Sequence, residues 1–296
     1  MAFSQQRNQV NNTSPIRALQ ATAIAGSIAL GSYAIYSLSI KSDFRVRIGR
    51  DGKQTASTTP EDSTLIRSRV SKTYKYLFAS IITTGATSYA LYRIGFARKV
   101  LQHPQPWLLS SCLTSLVTLL LTRFTNYRTQ FALKHAFWTL FNASIASSLC
   151  PLGYLGSSII GQAVIYTASL MGGISMVAMS APTPSMLAYG SYLSVGLGLL
   201  NGFALIQWMY PAADMSNLTV PFSLGLFGLF TAYDTQKVLY NAQDLSQGTE
   251  YDPINEQMDL YLDSVNLFVD IVRLLIKLQG NDDEDDDERK NKKNKH

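Results

Sequence analysis

The sequence predicts an all-α fold, a polytopic bundle of membrane helices. Three observations lead there. The chain of 296 residues is 47% hydrophobic and only 15% charged, whereas soluble domains carry about 25% charged residues. Its charges are segregated: residues 135–213 contain no Asp, Glu, Lys or Arg, and after Asp214 the run 215–233 contains none either. Apolar runs of the length that crosses a hydrocarbon core, about 20 residues, recur along the chain. These runs are rich in Ser, Thr, Gly, Ala and Tyr, which suit close helix packing around a polar interior.

In chain order, residues 1–17 form a polar tail and residues 18–40 a first apolar segment. The first 42 residues hold no acid, only Arg7, Arg17 and Lys41 among Ser, Thr and Asn. That composition fits a mitochondrial presequence and equally a plain polar tail before a signal-anchor helix. A basic linker covers 41–72, and the main membrane domain is expected over 73–280. Its spans are expected at 76–92, 107–122, 136–155, 158–179, 187–209, 219–243 and 256–278. Pro182 and Pro184 separate the fourth and fifth of these, and Pro211 ends the fifth. Pro221 suits the first turn of the sixth. Gln247-Gly248 with Asp252-Pro253 marks a loop, after which Asn255 is a candidate cap for the last helix. The block Asp282–Glu288 followed by Arg289–Lys295 predicts a disordered, solvated tail over 281–296.

Loop charges give an orientation. With alternating sides, Lys41, Arg45, Arg47, Arg50, Lys53, Arg67, Arg69, Lys72, Lys75, Arg123, Arg128, Lys134 and Lys237 share one side. Arg7, Arg17, Arg93, Arg98 and Lys99 take the other. The richer side should face cytosol or matrix. Trp107, Trp138 and Trp208 near run ends fit an interfacial belt. Gly172, Gly173, Gly190, Gly196 and Gly198 are expected at close helix approaches.

Asp234 and Asp263 do not belong in such runs unless they act. An ionisable group at membrane depth costs several kcal/mol, so it reads as functional. Asp234 lies about ten residues from its helix exit, or ~15 Å, and Asp263 about eight residues into the next helix, or ~12 Å. Across a short loop the two helices are antiparallel neighbours, and the carboxylates meet at similar depth. Asp259, Asp263, Asn266, Asp270, Arg273 and Lys277 form a polar stripe at steps of three and four, one face of an α-helix. Asp234, Lys237 and Asn241 share a face of the preceding helix. Two carboxylates in low dielectric cannot both ionise cheaply, so the pair is expected to hold one proton between them. Released, that proton leaves a hard oxygen site for a transient Ca²⁺, short of the six to eight ligands of a tight site. The simpler reading is that Asp234 pairs with Lys237 or another cation and locks the helices.

Other chemistries find less support. Paired intramembrane aspartates, one preceded by Tyr, are also the arrangement of intramembrane aspartyl proteases, but Leu260-Tyr261-Leu262 precedes Asp263 where Gly-x-Gly is expected. No Gly-x-Ser-x-Gly elbow, His-x-x-x-His or phosphate-binding Gly loop occurs, so no enzyme is expected, and nothing resembles a nucleic-acid domain. His135 reads as an interfacial residue, and Cys112 and Cys150 as buried thiols without a disulfide. No tightly bound cofactor is expected.

Tyr233-Asp234-Thr235-Gln236-Lys237-Val238 and Leu260-Tyr261-Leu262-Asp263-Ser264-Val265-Asn266-Leu267-Phe268 resemble the signature of the Bax inhibitor family of transmembrane proteins. The segments Arg67–Val70, Thr73–Leu77, Lys134-His135, Tyr166–Met179 and Tyr251–Asn255 resemble its mitochondrial branch. The likeness covers about residues 67–280. It implies a Bax-inhibitor-like seven-helix core, here with an extra N-terminal transmembrane helix. It further implies a pH-sensitive calcium leak or calcium/proton exchange through Asp234 and Asp263. The branch implies the mitochondrial inner membrane, with roles in cristae organisation and apoptosis resistance. The family's gating arginine corresponds to Arg123, with Arg128 close by. A different class of role also stands: a non-transporting scaffold for apoptotic, protease or respiratory partners. The acidic-then-basic tail departs from the branch.

Overall fold

The computed structural model describes residues 60–181, 185–210, 216–243 and 251–293. Their regular structure is helical. The elements are α1 (Pro60–Arg93), α2 (Phe96–Gln102), α3 (Pro104–Phe124), α4 (Phe131–Leu149), α5 (Ser157–Ser180), α6 (Gly190–Met209), α7 (Ser216–Gln243) and α8 (Pro253–Lys293). Two 3₁₀ turns, Cys150–Leu155 and Ser185–Tyr189, precede α5 and α6. The expected segment 18–40 and the linker up to residue 59 lie outside the described residues.

Local chemistry sets most boundaries, and several differ from the sequence expectation. Helix α1 starts at Pro60, so residues 60–72 of the expected linker are helical and carry Arg69. Gly95, in the left-handed region at φ 81°, separates α1 from the short α2, a conformation that costs glycine little. Between α3 and α4 the Asn126 Oδ1 accepts the amides of Arg128 and Thr129, each at 2.9 Å, an Asx turn. Helix α4 stops at Leu149 because Pro151 follows, and the apolar run continues as a 3₁₀ turn. Pro221 does not open α7; the helix starts at Ser216 and carries the proline inside it. The α8 helix runs on through Lys293, where a disordered tail was expected. Asp285, Asp286 and Glu288 precede Arg289, Lys290 and Lys292 by four residues, the spacing and order that favour a helix.

Helix α8 is the axis of the bundle. It packs on α1, α5 and α7, while α6 lies outside on α7. From Ile254 to Val272 its side chains are buried on nearly every face. Among the described residues, the two segments long and apolar enough by length and composition to cross a membrane, Ser157–Ser180 and Ser185–Gln207, are instead peripheral, with most of their residues not buried. The interior mixes apolar clusters with many polar groups, and the exterior is apolar. Buried positions include Thr73, Ser80, Asn142, Gln236, Gln257 and four aspartates, whereas Phe78, Ile82, Ile165, Val177 and Val195 are exposed. Such an exterior fits a lipid surface, in which the outer side chains must be apolar and polar groups turn inward.

Two packing expectations change. Gly196 does stand at a close approach, since a Cβ there would lie 2.8 Å from Leu226 Cδ1, but Gly172, Gly173 and Gly198 meet open space. Trp138 is not in an interfacial belt: it is buried and its Nε1 donates to Ser80 Oγ at 2.9 Å. Cys112 and Cys150 are free thiols.

Candidate functional site

The seam between α7 and α8 assembles the site. Asn241 Nδ2 donates to both oxygens of Glu256, at 3.1 and 2.9 Å. Lys237 Nζ reaches Asp259 Oδ2 at 2.7 Å. Asp234 and Asp263 stand side by side, carboxyl next to carboxyl. Further along, the Ser223 hydroxyl donates to Asp270 Oδ2. Successive partners descend α7 as they ascend α8, in steps of three or four near the loop. That register is what antiparallel helices with polar residues on facing stripes must give. Of the expected stripe, Asp259, Asp263, Asn266 and Asp270 are buried. Asn266 turns its amide back to Leu262 O at 2.8 Å, and Lys277 is exposed.

The central pair is buried. Asp263 is 2% exposed and Asp234 6%. A hydrogen bond between two carboxyls needs one proton, because two carboxylates offer acceptors only. Asp263 Oδ2 has no hydrogen-bond partner among the described residues, and neither do Gln257 Nε2 and Asn142 Oδ1. Buried polar atoms of this kind are costly. Carboxyl oxygens at the bundle centre suit a passing proton or hard cation. No group of three or more His, Cys, Asp or Glu side chains is placed to hold a metal ion among the described residues.

Arg123 comes to this seam from α3. Its Nη2 lies 2.5 Å from Asp259 Oδ1, one turn of α8 from Asp263. Asp259 thus receives Arg123 from α3 and Lys237 from α7, and three helices meet on one carboxylate.

Beyond Asp259 the bundle end is closed by a residue that the sequence marked only as a motif letter and a loop charge. Lys134, at the start of α4, is 0% exposed. Its Nζ donates to Thr122 O and Thr125 O at 2.8 Å each and to Asn255 Oδ1 at 3.0 Å, and pairs with Asp252 Oδ2 at 2.5 Å. The carbonyls belong to the end of α3, where a cation complements the helix dipole. Asn255 Nδ2 covers a further carbonyl there, Arg123 O, at 3.1 Å. Asn255 is consequently not the cap of α8. Asp252 is: its Oδ1 accepts the amides of Ile254 and Asn255 at 3.1 Å, with Pro253 at the first helical position. One acid joins the start of α8 to the end of α3 through Lys134. The legible signal was a lone lysine at the edge of a long charge-free run.

Helix α1 completes this end. Arg69 Nη1 donates to Ala242 O at 3.1 Å near the end of α7, and its guanidinium stacks 5.3 Å from the Tyr251 ring centroid. Tyr251 OH and Thr73 Oγ1 are 2.6 Å apart. Arg69, Arg123 and Lys134, assigned to one side by charge counting, do share one end of the bundle. Burial pushes the Tyr251 phenol well above its ordinary range; Glu256 and Asp252 add to this, while the Thr73 hydrogen bond and Arg69 oppose it. The folded phenol therefore keeps its proton where the unfolded one, near pH 10, has lost it. The contribution is complete below about pH 10 and is lost as pH rises further. Tyr251→Phe is expected to cost about 1 kcal/mol at neutral pH and to flatten the alkaline fall in stability. Thermal unfolding of both chains from pH 7 to pH 11 checks this, and parallel curves would contradict it.

His135 holds Tyr76 OH at 3.0 Å through Nε2 and contacts Phe131 O at 2.8 Å through Nδ1. Since a carbonyl only accepts, Nδ1 carries the proton. The residue belongs to an aromatic cluster with Tyr76, Tyr127, Phe131 and Trp138, away from the carboxyl seam.

Compared with known proteins, residues 66–281 match the family model described as inhibitor of apoptosis-promoting Bax1. The growth hormone-inducible transmembrane protein of Rattus norvegicus is 29% identical over 219 residues, which is 71% of this chain and 63% of that protein. The matched part of the chain thus spans less than two thirds of that relative.

Proposed function

Since the chain belongs to the Bax inhibitor family, we propose that it is a pH-sensitive calcium leak channel or calcium/proton exchanger. In this reading it sits in the mitochondrial inner membrane as a multi-pass protein and serves cristae organisation and apoptosis resistance. The long helices α1 and α3–α8 form its membrane core, and the Arg69–Lys134 end faces the matrix. It has no catalytic residues. Its transported ions are Ca²⁺ and H⁺, and its surroundings are the lipid bilayer and inner-membrane partners.

The observation that carries the reading is the Asp234–Asp263 contact at the buried centre of the seam. A pair that holds a single proton changes charge when that proton leaves, and the vacated oxygens are hard ligands for a divalent cation. Asp259 with Arg123 and Lys237 then acts as the closing contact one turn away. The interhelical clamps at Asp259 and Lys134 also favour the second reading, a rigid scaffold that binds apoptotic, protease or respiratory partners without transport.

Purified full-length chain in liposomes separates the two. Transport predicts calcium flux that depends on the pH gradient, and loss of that dependence in Asp234→Asn and in Asp263→Asn. Absent flux from folded protein supports the scaffold. A full pH response retained in both variants removes the paired carboxyls from the mechanism.

A further inference from the structure

At the other end of α1 from Arg69 the chain makes a corner. Gly95, at φ 81°, turns it out of α1 into the seven-residue α2, about 10 Å long and far too short to span a bilayer. The two faces of α2 are unlike. Ala97 and Val100 are buried with Cys150, and Phe96 and Trp107 pack against them. Arg98 and Lys99 face outward and are exposed. Arg93, in the last turn of α1, is exposed too, with its guanidinium 5.9 Å from the Tyr89 ring centroid. Residues 63–213 contain no Asp or Glu, and among the described residues none of these three cations enters an ion pair.

Aromatic side chains mark the depth of this corner. Trp107 stands edge-on to Phe96, with ring centroids 4.9 Å apart, and Tyr92 edge-on to Tyr154 at 5.1 Å. Trp and Tyr gather where membrane helices meet the lipid headgroups, so Arg98 and Lys99 stand at the level of the phosphates. The flanking helices are apolar on their exposed surfaces: Ile82 on α1, and Leu109 and Leu113 on α3, are all exposed. Cations without carboxylates, set above an apolar wall, match a ligand with an anionic head and hydrocarbon tails.

We infer that the α2 corner binds an anionic phospholipid. Arg98 and Lys99 hold its phosphodiester, with Arg93 beside them, and its acyl chains lie along α1 and α3. The inference rests on α1 and α3 being membrane helices, as proposed above, and is independent of ion transport. The buried face of α2 fixes the two cations in place, so the lipid orders little beyond itself on binding.

Tryptophan quenching reads this corner directly. Full-length chain carrying Trp208→Phe, in mixed micelles, keeps Trp107 at the site and Trp138 in the core. Phosphatidylglycerol with brominated acyl chains is expected to quench Trp107 at about one tenth of the concentration that brominated phosphatidylcholine requires, since each cation at a lipid surface adds to the attraction for anionic headgroups. Replacing both cations, Arg98→Gln with Lys99→Gln, should bring the two lipids to parity, whereas Arg98→Lys with Lys99→Arg should keep the preference. Arg67→Gln with Lys72→Gln, exposed cations at the other end of α1, should leave it intact. Raising salt to about 0.5 M should shrink the preference in the chain with both cations, an arm that needs no change at the corner. Equal quenching by the two lipids at low salt would overturn the site, and is also the outcome if the chain's own acidic block Asp282–Glu288 covers it. A preference that survives loss of both cations would overturn it as well. Full relief of quenching by free glycerophosphoglycerol would show a small-anion site in place of a lipid site. A chain that stays monodisperse without micelles defeats the membrane reading itself. Parity of the two lipids in a chain that requires micelles defeats the lipid site alone.

Discussion

Replacing Lys134 with Met is expected to destabilise the bundle by about 3–5 kcal/mol, the usual cost of removing one partner from a buried ion pair. The ammonium is 0% exposed and is shared among Thr122 O, Thr125 O, Asn255 Oδ1 and Asp252 Oδ2. Its removal leaves the Asp252 carboxylate without this cation and two carbonyls at the end of α3 without this donor. Arginine is no substitute, because a planar fork needs room and a different acceptor geometry, so Lys134→Arg should fall on the same side. Asp252 still caps α8 through Oδ1 when only its charge is removed. Asp252→Asn should therefore cost less than Lys134→Met, and the double variant less than the sum, with a coupling above about 1 kcal/mol. Thermal unfolding in micelles reads all four chains. An unchanged midpoint in Lys134→Met would show that the buried network does not hold this end of the bundle.

Asp259→Asn is expected to raise resting calcium flux about tenfold, which corresponds to about 1.4 kcal/mol of lost closure. Asp259 accepts Arg123 at 2.5 Å and Lys237 at 2.7 Å, so α3, α7 and α8 converge on its two oxygens. An amide can still accept one of these bonds, but charge-assisted hydrogen bonds are about twice as strong as neutral ones. It also leaves two cations one turn from the Asp234–Asp263 pair. Arg123→Gln removes one cation and keeps the Lys237 bond, so its flux should lie between the two. Flux from Asp259→Asn equal to that of the parent chain would mean that the three-helix contact is not the closing one.

The central carboxyls were legible because charge is scarce in this chain. Asp234 and Asp263 stand out in apolar surroundings, and the three- and four-residue steps around Asp263 fix one helix face. Antiparallel neighbours across a short loop then place both acids at one depth, where they are found. Arg123 could be nominated by resemblance, but its partner could not. A long guanidinium reaches any carboxylate within a turn, and the depth at which α3 lies against α8 brings it to Asp259. Lys134 and Asp252 lie far apart in sequence, beside a charge-free run and in a loop. Their pairing depends on the end of α3 meeting the start of α8.

The sequence by itself determined that the chain is helical, that its outer surface is apolar, and that α7 and α8 carry a facing polar seam. Each of these follows from periodicity and from the cost of charge in an apolar medium, which act locally. Tertiary structure alone decided that the most charged helix is the buried axis and that the most apolar ones are peripheral. It also decided which cation answers which acid along the seam. Those outcomes rest on the packing of several helices at once: a long side chain takes whatever partner the neighbouring helix presents at its level, and no spacing within one segment encodes that level.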